Sequence, residues 1–298
     1  MNIFITGASG FIGTHLTRML LDHGHDITCV GRSEPHIGDH PKCRFIVADP
    51  TRPGAWQEAL KDMDAVFNLA GAPIFKRWDE AYKKQLFDSR VLTTRNVVEA
   101  LPQNKSAVLI STSAVGYYGQ RHDDILMEDE PPGRDFLAIL CSEWERAAYE
   151  AKAKGVRTVT TRFGVVLGND GGALMTMVPL FRRFLGGPMG KGNHWFPWIH
   201  IEDLCSALYF ILQTPEIKGP VNMTAPIPIR QRAFARALGR QLKRPAFMPA
   251  PAFAVRLAMG ELGRYMMYSQ KVIPDKLIKH GYKFKFMEIQ PALEDLLA

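Results

Sequence analysis

Met1-Asn-Ile-Phe-Ile-Thr6-Gly7-Ala-Ser9-Gly10-Phe11-Ile12-Gly13 is the stretch whose reading decides the fold. Residues 1–6 form a short apolar run with β-branched members, and it opens directly into three spaced glycines followed by an amphipathic stretch from Thr14 to His23. The pattern predicts strand, turn, helix. Gly7 permits the tight turn, Gly10 removes a side chain where a pyrophosphate must approach the backbone, and Gly13 lets the helix pack close to the strand. Unpaired N–H groups at the helix start then face the anion, with Ser9, Phe11 and Ile12 beside it. Twenty-five glycines generate chance triplets, so context carries the reading. A second apolar strand, Asp26 to Val30, completes a βαβ unit. The expected fold is α/β: a doubly wound parallel Rossmann sheet with a smaller C-terminal mixed α/β domain on the substrate side.

Where an NAD-specific site presents a carboxylate to the ribose 2′-hydroxyl, the chain reads Val30-Gly-Arg32-Ser33. A guanidinium in place of the acid favours a 2′-phosphate, and therefore NADP; an ordinary exposed loop residue is the alternative for Arg32. Cys43 to Ala48 reads as a third strand ending at Asp49, which either meets the adenine amino group or caps the next turn. A short helix over 54–62 precedes a fourth strand ending in Asn68-Leu69-Ala70-Gly71, small residues that let the backbone pass beside a cofactor. Lys76 and Arg77 follow in a loop on the same side, as phosphate ligands or solvated charges. A long helix spans Asp79 to Leu101, a fifth strand Ser106 to Ser113, a sixth Val156 to Leu167, an apolar helix Leu204 to Leu212, and a last strand Gly219 to Thr224.

Composition bounds the function class. Of 298 residues, 46% are hydrophobic, enough to bury a large core. No apolar run approaches the roughly 20 residues that span a bilayer, and residues 1–6 read as a core strand and not a signal peptide. A cytoplasmic protein without membrane contact is expected. Cys29, Cys43, Cys141 and Cys205 are far apart, and the nine histidines form no ligand array, so neither a metal nor a disulfide framework is expected. The net charge of +7 is spread among acids, which argues against nucleic acid and for a solvated basic surface.

A boundary is expected near residue 222, with 1–222 as the nucleotide-binding domain, an insertion over 168–198, and 223–298 as a small substrate-side domain. The insertion is rich in glycine and aromatics, suiting a substrate pocket or an irregular packing loop. Asp203, in the first turn of its helix, reads as a structural carboxylate ahead of a catalytic one; His200 stays ambiguous. The end of the chain reads as helix Ile229–Leu242, an extended proline-bounded segment, and a Met-rich helix from Pro251 to Tyr268 whose methionines form core or a contact face. Monomer and homodimer both remain open.

Thr6-Gly-Ala-Ser-Gly-Phe-Ile-Gly13, Asn68-Leu-Ala-Gly71 and Ser111-Thr-Ser113 resemble the extended short-chain dehydrogenase/reductase superfamily. Gly116-Tyr-Tyr-Gly119, Trp144-Glu145, Arg162-Phe-Gly-Val-Val-Leu-Gly168, Trp198-Ile-His-Ile201 and the segment Pro274 to Phe286 resemble, more narrowly, its epimerase-family or sugar-nucleotide epimerase-like group. The resemblance implies that Ser113 binds the substrate oxygen, that Arg90 lies on the helix beneath the cofactor, and that Arg162 and Gly164 lie beside the nicotinamide. It also implies a proton-transferring tyrosine and, four residues on, a lysine that lowers its pKa. Here that window reads Asp135-Phe-Leu-Ala-Ile-Leu-Cys141-Ser-Glu143 and holds neither. Tyr149 lies about a dozen residues further, roughly 18 Å along the helix, and cannot substitute. Tyr117 and Tyr118 are the remaining candidates, as acid/base groups or as packing. The expectation is an NADP-binding oxidoreductase or epimerase for a small hydroxy, keto or sugar-nucleotide ligand, or else a non-catalytic NADP-binding module.

Overall fold

The computed structural model describes residues 1–35, 37–103 and 107–298. Seven strands form one sheet: β1 (Asn2–Thr6), β2 (Asp26–Gly31), β3 (Cys43–Val47), β4 (Ala65–Asn68), β5 (Val108–Ala114), β6 (Arg157–Phe163) and β7 (Gly219–Met223). Every pairing is parallel, in the order β7-β6-β5-β4-β1-β2-β3. The central strands β1, β4 and β5 are buried almost end to end, as a parallel sheet covered on both faces requires. Strand order reverses between β1 and β4, which opens a crevice outside their carboxyl ends.

In chain order, the helices are α1 (Phe11–Asp22), α2 (Glu80–Ala100), α3 (Phe136–Tyr149), α4 (Gly172–Arg182), α5 (Ile201–Gln213), α6 (Gln231–Gln241), α7 (Ala252–Met259), α8 (Leu262–Tyr265), α9 (Asp275–Lys279) and α10 (Ile289–Leu296). Alternation along β1 divides the core. Ile3 and Ile5 face Leu16 and Leu20 of α1 and Leu204 and Leu208 of α5, while Phe4 faces Trp56 and Val97 of α2. Each of these fully buried side chains contributes about 1.5–3 kcal/mol of transfer free energy. Asp79 caps α2 by accepting from Tyr82 N at 2.7 Å, and Asp135 caps α3 by accepting from Ala138 N at 3.2 Å. Phe234 and Leu238 of α6 and Leu293 and Leu296 of α10 pack into the core that holds Ile3.

Several expected elements differ in detail. The sixth strand stops at Phe163, because the chain changes partner after Gly164: Val165 N donates to Pro197 O at 2.8 Å, and Val165–Leu167 pairs separately with Trp198–His200. The insertion contains the helix α4. Ile229-Arg230 is not helical but pairs antiparallel with Trp195-Phe196. The Met-rich helix breaks into α7 and α8 at Gly260, whose φ is +62°. Ser106, the expected start of β5, lies outside the described residues. Among the described residues, no helix is long and apolar enough to cross a membrane, and no group of His, Cys, Asp and Glu is placed to hold a metal ion.

Candidate functional site

Register places the polar residues. Thr6, Asn68 and Ser111 are partners across β1, β4 and β5, and Ser113, Arg162 and Asn222 are partners across β5, β6 and β7. All six lie in the last residues of their strands, so a polar row lines the carboxyl end of the sheet. The first trio is locked: Thr6 Oγ1 donates to Asn68 Oδ1 at 2.7 Å, and Asn68 Nδ2 donates to Thr94 Oγ1 and Ser111 Oγ at 2.7 and 3.0 Å. Ala70 N donates to Thr6 Oγ1 at 3.1 Å, and Trp144 Nε1 to Thr94 Oγ1 at 2.9 Å, fixing the β4 strand end against α2 and α3.

The glycine turn differs in what its three glycines do. Gly7 has φ +75°, and a Cβ there would lie 2.8 Å from Ala70 N. A Cβ on Gly13 would lie 2.1 Å from Gly7 O. Both are required by the protein itself. Gly10 is exposed, and a Cβ on it would meet one atom, Gly7 O at 3.3 Å. The first turn of α1 carries no carboxylate and no side-chain cap, so its amides and the positive end of the helix dipole are not neutralised by a side chain. Such a helix start suits a pyrophosphate. Phe11 is seated by glycines of the insertion: Cβ atoms on Gly168 or Gly171 would lie 2.4 Å from its ring. These glycines of the insertion make room for the helix start.

Arg32 and Ser33 follow β2 and are exposed. The Arg32 guanidinium makes no hydrogen bond or ion pair among the described residues, while Ser33 Oγ reaches Ser9 Oγ at 3.5 Å. Asp49 accepts from Thr51 N and Oγ1 at 3.0 and 2.8 Å. Burial pushes its carboxyl up, but those bonds and the nearby Arg32 and Arg52 more than offset it and leave it below the usual range. Leu69 and Ala70 are half-buried at the strand end, and Gly71 is exposed. Arg90 lies directly beneath: its guanidinium donates to Leu86 O and Ala72 O at 3.0 Å each, and no carboxylate pairs with it among the described residues. Desolvation lowers its pKa. Lys76 is exposed, over the Tyr82 ring at 5.5 Å.

The second trio forms a closed network. Ser113 Oγ donates to Glu145 Oε1 at 2.7 Å. Arg162 clamps the same carboxylate with Nε at 2.8 Å and Nη2 at 2.9 Å, and its Nη1 donates to Tyr118 Oη and Glu128 O at 2.9 and 3.0 Å. Burial alone would lower the Arg162 pKa, but the Glu145 carboxylate holds it above the ordinary value. Tyr118 is fully buried, its hydroxyl 2.6 Å from Asn222 Oδ1, and desolvation raises its pKa; it braces the network from below. Tyr117 is half-buried with its ring 3.5 Å from the Arg162 guanidinium, and burial raises its pKa too. Tyr149 is bonded to Thr160 Oγ1 at 2.8 Å. Leu137 and Cys141 of α3 lie against Gly116, and burial pushes the Cys141 thiol up to about 12.

Sequence reading missed Glu145 as the partner of Ser113 and Arg162, and missed Asn222. The signal was present: Ala138, Cys141, Glu145 and Ala148 occupy one helical stripe, so the acid interrupts an otherwise buried face.

The NAD dependent epimerase/dehydratase family model matches residues 3–223, and a domain of unknown function (DUF1731) matches residues 250–296. The chain is 38% identical to the chloroplastic epimerase family protein SDR39U1 homolog of Arabidopsis thaliana over 100% of this chain and 87% of that one. It is also 38% identical to the epimerase family protein SH2119 of Staphylococcus haemolyticus, covering 98% of each. The crystal structure of human epimerase family protein SDR39U1 (isoform 2) with NADPH superposes with a TM-score of 0.87 at 34% identity, covering 100% of this chain and 99% of that one.

Proposed function

Because the chain belongs to the NAD dependent epimerase/dehydratase family, we propose that it is an NADP-dependent oxidoreductase or epimerase whose acid/base group is Ser113 backed by Glu145. The cofactor is NADP(H). Gly10 and the uncapped α1 amides hold the pyrophosphate, Arg32 and Ser33 the 2′-phosphate, Asp49 the adenine side, and Leu69, Ala70 and Gly71 the backbone between, with Arg90 beneath adding positive potential. When bound there, NADP(H) would supply hydride transfer to or from a substrate carbon.

The observation that carries this reading is the 2.7 Å bond from Ser113 to a carboxylate clamped by a buried arginine. With its proton committed to Glu145, Ser113, which is 1% exposed at the floor of the site, accepts a hydrogen bond from a substrate hydroxyl. As the hydride leaves the carbinol carbon, the hydroxyl proton passes to Ser113 Oγ and the Ser113 proton to Glu145 Oε1, leaving a carbonyl; reduction reverses each transfer. Arg162 keeps the carboxylate in place, and Tyr117, stacked on Arg162, forms the outer wall. The ligand is a small hydroxy- or keto-bearing molecule, a sugar nucleotide being the class suggested by the nucleoside-diphosphate sugar epimerase from Corynebacterium glutamicum, to which the chain is 32% identical.

The test is NADPH turnover on a panel of carbonyl compounds and sugar nucleotides. Ser113→Ala should lower kcat at least 100-fold while NADPH affinity changes less than about twofold. Undiminished turnover in that variant sinks the proposal. A second reading, a dinucleotide-binding module without catalysis, is favoured by Leu137 and Cys141, which fill the turn where the family resemblance calls for tyrosine and lysine. NADPH binding without turnover of any panel member supports that alternative.

A further inference from the structure

Residues 171–201 and 217–260 contain eleven lysines and arginines and no aspartate or glutamate. The whole chain has 37 basic and 30 acidic residues, so the remainder is net acidic. The structure brings these two segments together. Gly190 N donates to Ala250 O at 2.8 Å, Ala250 N to Pro188 O at 2.9 Å, and the Arg244 guanidinium lies 4.9 Å from the Phe184 ring. Between them runs a cleft of about 960 Å³ lined by Lys191, Arg232, Arg236, Arg240, Lys243 and Arg244, with no acidic residue in its wall.

Beside the cleft stands an apolar helix with nothing to cover it. No residue of α7 is buried, and Phe253 and Leu257, one turn apart, are 73% and 78% exposed. Phe247 is 75% exposed, and Leu185, Met248 and Phe184 add to the same surface. Phe184 and Lys243, at the ends of α4 and α6, take positive φ of 62° and 52°, so the backbone holds both side chains at a conformational cost. A soluble surface does not ordinarily gather so much apolar area within a ring of arginines.

We propose that this face docks on an anionic membrane surface, with headgroup phosphates in the arginine cleft and the Phe253–Leu257 face of α7 seated at the acyl boundary. Charge selects the occupant. A second copy meeting the face through a two-fold axis would set arginine against arginine. Nucleic acid would satisfy the cations and stack on Phe247 and Phe253, but leaves the aliphatic Leu185, Met248 and Leu257 without function. A bilayer with acidic lipids answers both features at once. Contact is peripheral, because α7 has eight residues, about 12 Å of helix. Through Leu262 and Tyr265, which pack with Trp78 on the loop after β4, the docked element adjoins the nucleotide side of the sheet.

The experiment is co-sedimentation of the full chain with vesicles of phosphatidylcholine alone or with one-third phosphatidylglycerol. Binding is expected to the mixed vesicles only, and to fall at least tenfold between about 0.1 and 0.5 M salt. Arg236→Gln with Arg240→Gln should weaken it roughly 25-fold, at about fivefold per charge. Phe253→Ser with Leu257→Ser should weaken it at least tenfold. All four residues are exposed, so an unchanged melting temperature and NADPH affinity will show intact folding. Failure to bind mixed vesicles, equal binding to phosphatidylcholine, or indifference to the Phe253 and Leu257 changes overturns the proposal. So does a higher affinity for single-stranded DNA than for vesicles, which assigns the face to nucleic acid, or dissociation of a dimer by the α7 variant, which assigns it to a second copy.

Discussion

The two ends of the candidate site are built on opposite principles. At the glycine turn, groups are left unmatched: the first amides of α1 have no cap, the space over Gly10 is open, and Arg32 has no partner among the described residues. At Ser113 everything is matched: hydroxyl to carboxylate, carboxylate to guanidinium, guanidinium to Tyr118 and a carbonyl. An unmatched but solvated group is cheap to keep and gains on meeting a ligand, whereas a buried charge must be matched from within or the protein does not fold. The first end is therefore a place of binding, and the second a place where geometry is held before any ligand arrives.

The largest effects should come from unmatching the buried end. Glu145→Ala leaves Arg162 charged and buried, and is expected to cost about 3–5 kcal/mol in urea unfolding. Glu145→Leu with Arg162→Met should recover most of that loss, because the pair is removed together; a cost below about 1 kcal/mol for Glu145→Ala would show the network to be loose. At the glycine turn, the effect depends on which glycine is changed. Gly13→Ala drives a Cβ to 2.1 Å from Gly7 O and should lower stability by about 1–3 kcal/mol. Gly10→Ala should cost less than about 1 kcal/mol, yet weaken NADPH at least tenfold by calorimetry. Equal losses of stability in both would erase the distinction between packing and binding glycines. Arg32→Ala should cut the preference for NADPH over NADH about 10- to 100-fold, in line with 1.5–3 kcal/mol for a hydrogen bond to a charged group, with stability unmoved.

This contrast also governs what the sequence discloses. The binding end is local: Gly7, Gly10, Gly13 and Arg32 sit within one βαβ unit, and their spacing alone expresses the turn, the helix start and the position after β2. The sheet is legible for the same reason, since its central strands are buried on both faces and read as unbroken apolar runs. The matched end is assembled from residues 113, 118, 145, 162 and 222, and no short-range pattern links them. Register across three strands does. The helix α4 escaped because glycines flank it and Pro179 lies inside it, and the break of the Met-rich helix at Gly260 depends on a positive φ that composition does not state.

The smallest expected effect sharpens the rule that an unmatched group carries a cost when it is buried. His194 is half-buried beside Arg230, and its Nε2 has no hydrogen-bond partner. Burial first, and Arg230 second, lower its pKa to about 4. The unfolded chain therefore binds this proton more readily than the folded one, so the contribution is fully present above about pH 6.5 and is lost as pH falls toward 4. After allowance for partial solvent exposure, the loss amounts to about 1–2 kcal/mol. Burial also lowers the pKa of His25 and His200, which adds slope of the same sign, whereas the raised pKa of Glu128 opposes it. The informative quantity is hence the difference between the protein and His194→Gln in urea unfolding at pH 7 and pH 5. The protein should lose more stability than the variant over that interval. Parallel curves would mean that the imidazole is matched by solvent and that its position beside Arg230 costs nothing.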